Sequence, residues 1–143
     1  MSRALLYNKL SNILLMAVIA IGMLFILWGV YPYRVAEIKS PAEVITKELR
    51  VGDNLQYHLE GTVYNAFEIV EIRRRMTNGV DYTMHETHPP TPEKGKIDTM
   101  VGSNEIPNVL PGMYQMEFTA IHKVNPIRNV GIQWYTEHFE VIK

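Results

Sequence analysis

From Leu10 to Tyr33 the chain carries no charge, and from Ile13 to Val30 every position is apolar, with Lys9 and Arg34 bracketing the run. At ~1.5 Å per residue this stretch makes a helix of about 36 Å, enough for a hydrocarbon core of ~30 Å with some tilt. It is apolar all round, whereas a helix lying on a soluble core keeps a polar face. Trp28, Tyr31 and Tyr33 gather at one end and Tyr7 at the other, as an interfacial belt requires, and Pro32 stops the helix. A cleavable signal would have an apolar core of only ~7–15 residues ending in a small-x-small site. Here Trp28 to Tyr33 reads Trp-Gly-Val-Tyr-Pro-Tyr instead. The pattern predicts a tail at 1–9 and a transmembrane helix at 10–33 whose partner is membrane lipid. No small residue recurs four positions on, so tight helix pairing has no support.

Beyond Arg34 the period changes to two. Residues 34–43 read as an extended stalk between Pro32 and Pro41. Over 44–143 short strand patterns recur and no long 3.6-residue pattern appears. Val44–Leu49 is the first, stopped by Val51-Gly52-Asp53. Leu55, Tyr57 and Leu59 alternate with polar residues in the second. Phe67–Met76 follows, with Val70 and Ile72 expected on one face, then a hairpin turn at Asn78-Gly79 and a returning strand Val80–His85. Lys96–Val101 is weak and Met113–Val124 strong, the latter turned by Asn125-Pro126. Val130, Ile132 and Trp134 alternate in the last strand, and Phe139 and Val141 continue out of phase, predicting a bulge at Tyr135–Glu137. About seven strands with such turn spacing predict an all-β, immunoglobulin-like antiparallel sandwich, an open small barrel being the alternative. Tyr114, just after Pro111-Gly112, stands where such sandwiches place a corner tyrosine bonded back to the backbone. Trp134 is expected in the core.

Charge divides along the chain. Residues 1–40 carry Arg3, Lys9, Arg34 and Lys39 against Glu37, while the remainder is net acidic, giving −1 in all. Basic residues flank the apolar run on both sides, so the positive-inside rule does not decide its direction. A short tail before a first anchor points to a cytoplasmic N-terminus and an extracytoplasmic domain at a bacterial inner membrane. The absence of cysteine excludes thiol catalysis and disulfides.

Few residues suggest chemistry. His85 and His88 flank Glu86-Thr87, but the two-histidine helical zinc motif needs a spacing of four, and Pro89-Pro90 breaks any helix. A metal-dependent domain using His85, His88 and a distant carboxylate is therefore the weaker alternative. Arg73-Arg74-Arg75 would alternate faces on a strand, which argues against nucleic acid and leaves Arg73 and Arg75 for lipid or partner carboxylates. Arg128, after Asn125-Pro126-Ile127, either bonds carbonyls at its corner or meets a partner. No phosphate loop, nucleophile elbow or cofactor motif is present, so no cofactor and no enzyme is expected.

Tyr31-Pro32-Tyr33, Val51-Gly52-Asp53, Pro111-Gly112-Met113-Tyr114, Val124-Asn125-Pro126-Ile127-Arg128 and Thr136-Glu137-His138-Phe139-Glu140-Val141, in that order, resemble a group of small uncharacterised bacteriophage proteins. That resemblance implies a phage origin, one membrane anchor and a β-sandwich outside it, with no activity to carry over. The expected function is a non-enzymatic interaction or structural module at the bacterial envelope, binding an unknown protein, or a lipid-associated virion component. Its binding surface is expected on the 86–95 loop with the turns at 77–79 and 125–128.

Overall fold

The computed structural model describes residues 3–78, 82–87 and 90–143, with the side chains of 3–6, 82–87 and 103–104 excepted. Gly79 and His88 lie outside the described residues. One helix, α1 (Arg3–Val30), precedes ten strands: β1 (Ala36–Ile38), β2 (Glu43–Val44), β3 (Glu48–Arg50), β4 (Asn54–Val63), β5 (Glu68–Thr77), β6 (Tyr82–Thr87), β7 (Gly95–Glu105), β8 (Gly112–Asn125), β9 (Arg128–Tyr135) and β10 (Phe139–Ile142). Met1–Pro32 with Asn125–Arg128 forms one compact unit, and Tyr33–Val124 with Asn129–Lys143 the other.

The larger unit is an immunoglobulin-like sandwich. In its first sheet β4 is central, with β7 paired along it and β1 and β2 also paired to it. The second runs β3–β10–β8–β5–β6, with β9 also on β8. One buried cluster takes Leu55 and Tyr57 from the first sheet and Met76, Met116, Phe118 and Phe139 from the second. Strand β8 shows why the sequence folds this way: Tyr114, Met116, Phe118, Ala120, His122 and Val124 are all buried, at strict alternation. At its head the Tyr114 hydroxyl donates to the Leu110 carbonyl at 2.7 Å, closing the corner.

The expected seven strands become ten at three places. The expected stalk is part of the sandwich: Ala36–Ile38 pairs with β4, and Val35 is buried. Residues 34–37 are tied to the β4–β5 loop by side chains. Arg34 lies 3.8 Å over the Tyr64 ring and bonds its hydroxyl, Tyr64 donates to Glu37, and Asn65 donates to the Arg34 carbonyl. The first expected strand is two strands in different sheets, with Val44 facing β4 and Leu49 lying beside β10 in a parallel pairing. Val44 and Leu49 are both buried although they stand five positions apart, which a single alternating strand would put on opposite faces. The expected bulge is a wider break at 136–138, where Thr136 bridges in parallel to Ala42, its N–H donates to the Met116 carbonyl at 2.9 Å and its hydroxyl accepts the Met116 N–H at 3.1 Å. On β5 the register shifts between Ile69 and Glu71, so Ile69 rather than Val70 turns into the core.

Two glycines are needed for backbone reasons. Gly52, at φ +89°, sits in the β3–β4 turn, where an L side chain is strained. At Gly61 a side chain would overlap the Glu37 carbonyl oxygen of the neighbouring β1.

Tyr114→Phe keeps the ring and removes the corner bond, leaving the Leu110 carbonyl without its donor. Chemical denaturation of the full-length protein should show a loss of about 1–2 kcal/mol. An unchanged midpoint would mean the corner contributes nothing to stability.

Candidate functional site

Three places could carry function: the end of α1, the outer face of the first sheet, and the space between the sheets.

At the end of α1 the chemistry follows from Pro32. A helix continuing past Val30 would satisfy the Trp28 carbonyl with the N–H of residue 32, which proline lacks. Asn125 Nδ2 donates to that carbonyl at 3.0 Å instead. Arg128 Nη1 donates to the carbonyls of Gly29 at 2.8 Å and Tyr31 at 2.7 Å. The last turn of α1 has no basic residue of its own, so Arg128 also brings the positive charge that the helix dipole favours there. Asn125 Oδ1 accepts the Ile127 N–H at 3.0 Å, which shapes the Pro126-Ile127 turn. Of the two roles the sequence leaves open for Arg128, this is carbonyl binding, on helix carbonyls rather than on those of its own corner.

The outer face of the first sheet carries a shallow polar groove of about 570 Å³. Glu37, Lys39, Glu60, Lys96 and Asp98 line it, and two contacts cross its strands. Lys39 meets Glu60 at 2.7 Å, and Asp98 meets His58 at 2.6 Å. The Glu60 hydrogen bond holds the Lys39 ammonium above its ordinary pKa.

Between the sheets lies a cavity of about 200 Å³ with almost wholly apolar walls. Tyr57, Leu59 and Val63 line it from the first sheet, and Ile72, Ala120 and Ile132 from the second. Beside it Phe118 stacks on Trp134 with centroids 5.2 Å apart and planes at 9°, and the Tyr57 ring lies 5.1 Å from Phe118. Burial pushes the Tyr57 hydroxyl up to about 12, opposed by the Trp134 indole N–H that approaches its oxygen and by the Arg74 charge. Trp134 Nε1 is fully buried, and that approach falls short of hydrogen-bond geometry, so it has no well-formed hydrogen bond among the described residues. His122 also lines the cavity, its Nδ1 3.3 Å from the Phe67 carbonyl, so that nitrogen carries the proton of the neutral ring. Burial lowers its pKa.

Two turns of the expected binding surface follow different ends of the β5–β8 ladder, and part of its 86–95 loop lies outside the described residues. Strand β5 runs from its partner Lys123 to its partner Gln115, so the turn after Thr77 and the turn after Val124 follow opposite ends of one ladder. At ~3.3 Å per residue those ends are about 30 Å apart. Asn125 and Arg128 are also engaged with helix carbonyls. Arg73 and Arg75 share the outer face of β5. Arg73 bonds Glu71 at 3.0 Å, and Arg75 stands opposite Glu117. Arg74 shares the inner side with Phe118. His85 belongs to β6, opposite Arg73, and its side chain lies outside the described ones. Among the described residues no three metal-ligating side chains converge. Sequence reasoning missed His122, although a histidine at an inward position of an otherwise apolar alternation was there to be read.

No protein-family model matches the chain, and no curated protein does. Among solved structures it is similar to the CARDB domain of a Pyrococcus furiosus protein, described as in complex with di-metal ions. The identity is 14%, with 77% of this chain and 96% of that one covered and a TM-score of 0.30. A superposition that loose carries no residue of that domain onto this chain.

Arg128→Ala should leave the sandwich folded and loosen the last turn of α1 by about 1–2 kcal/mol. Faster amide hydrogen exchange at Trp28–Tyr31 is the readout, and unchanged exchange would show that the guanidinium is dispensable. A second outcome concerns pH. With its folded pKa below the ordinary 6.5, His122 takes up a proton more readily in the unfolded chain. Its contribution is complete above that value and is lost as pH falls toward the folded pKa. Melting temperature should therefore drop between about pH 7 and about pH 5.5, and His122→Leu should flatten that drop. An equally steep drop in the variant would assign it to other groups.

Proposed function

We propose that this chain is a single-pass membrane protein whose sandwich serves as a non-enzymatic interaction or structural module at a bacterial envelope. The observation that carries the reading is the helix. Tyr7–Val30 is long and apolar enough to cross a membrane, and none of its most apolar window is buried by protein. Its end is fitted for retention. Asn125 and Arg128 donate to carbonyls of Trp28, Gly29 and Tyr31, groups that a cleaved leader would take away from them. Arg128 at this end can also reach interfacial water and phosphate while it holds the backbone.

On this reading the tail before Tyr7 is cytoplasmic and the sandwich is extracytoplasmic at the inner membrane. Confinement to a surface raises the effective concentration of any partner held there, so a modest affinity suffices. The paired charges of the outer groove suit a protein surface better than a phosphate-rich one. The motif resemblance supports a phage origin. Phage-encoded modules of this build would act on envelope entry, lysis or particle assembly.

After detergent-free lysis and ultracentrifugation the full-length chain should sediment, resist an alkaline wash and dissolve in detergent. A chain left in the supernatant would end the proposal. Protease added to spheroplasts should remove a C-terminal tag and spare an N-terminal one, and the reverse pattern would invert the topology.

A further inference from the structure

We infer that the space between the sheets is a binding site for a small, largely apolar molecule carrying one oxygen acceptor, which the buried Trp134 indole N–H recognises. Three observations converge on it. The cavity holds about 200 Å³, and an apolar cavity of ~150 Å³ accepts benzene, so a ring or branched chain of roughly six to eight heavy atoms fits. Its walls exclude ions. Apart from His122 no ionisable side chain other than the Tyr57 phenol lines it, and a charged guest would lose water without gaining a counter-charge.

The third observation sets the chemistry of the guest. Trp134 is 8% exposed and borders the cavity, and its Nε1 makes no well-formed hydrogen bond among the described residues, the Tyr57 hydroxyl being the polar group that approaches it. An indole nitrogen only donates, so its complement is a carbonyl, ether or hydroxyl oxygen. The flat stack on Phe118 fixes the plane of the indole, so the donor is oriented before anything binds. Access exists as well, since Leu59, Ile72 and Ile132 pack against the core while remaining partly exposed. This site is independent of the membrane reading, because every residue in it belongs to the sandwich.

The test uses the full-length protein in lipid nanodiscs, with cyclohexanone as the acceptor-bearing probe and methylcyclohexane as its acceptor-free counterpart. Trp28→Phe leaves the Trp134 indole resonance alone in the ¹H–¹⁵N spectrum. Cyclohexanone should shift that resonance saturably and raise the melting temperature, and methylcyclohexane should do less. Trp134→Phe keeps the stack and removes the N–H, so it should weaken cyclohexanone binding about fivefold without affecting the hydrocarbon. Ala120→Leu should occupy the space and abolish both. Should that variant fail to fold, the Trp134→Phe comparison still decides. The inference is overturned if the resonance does not move. It is equally overturned if Trp134→Phe affects both probes alike, or if a long-lived water stays bound to the indole at saturating cyclohexanone.

Discussion

Phe118 stands at the middle of this fold because three strands from two sheets meet on its ring. It stacks on Trp134 from β9 and lies close to Tyr57 from β4. Aromatic contacts of this geometry add about 0.5–1.5 kcal/mol each beyond the area they bury. With no cysteine to bridge the sheets, packing has to do what a disulfide does in antibody sandwiches. The same cluster sets the local electrostatics. Burial in it raises the Tyr57 hydroxyl against the pull of the Trp134 indole, and the Trp134 N–H is left without a well-formed hydrogen bond among the described residues. Large flat rings on one side and small or branched residues such as Ala120, Val63 and Ile132 on the other leave the sheets unfilled between them. The cavity is thus a consequence of how the aromatic residues are distributed.

A second constraint acts at the end of the helix. Carbonyls at the end of a helix need donors, and Pro32 withholds one at the place where the helix stops. The donors come from almost a hundred residues along the chain, in a two-residue turn of the sandwich sequence. Tyr33 packs edge-on against Phe67, and Arg34 is held by Tyr64 and Glu37. Little of the connecting segment is left unanchored, which is why a stretch flanked by prolines forms a strand rather than a tether.

Two surfaces presented by the strands stand out among the described residues. The outer groove holds contacts between charged side chains, and the space between the sheets is apolar, with Trp134, Tyr57 and His122 as its polar groups. Neither resembles the exposed end-loop surface that sandwich proteins commonly use. One turn of that surface is occupied at the helix end, and another follows the far end of the β5–β8 ladder.

The sequence alone determined the apolar helix, the corner at Tyr114, the alternation of β4 and β8 and the turns between them. Each is a local rule, read from a period, a proline or a glycine. It could not determine the split of the first strand, the strand in the expected stalk or the shift at Val70. Pairing is a property of two segments, and no single segment carries its register. The roles of Asn125, Arg128 and His122, and the cavity beside Trp134, were decided by tertiary structure for the same reason. A hydrogen bond spanning 97 or 99 positions, or a gap between two sheets, has no local signature, because it exists only once distant side chains are brought together.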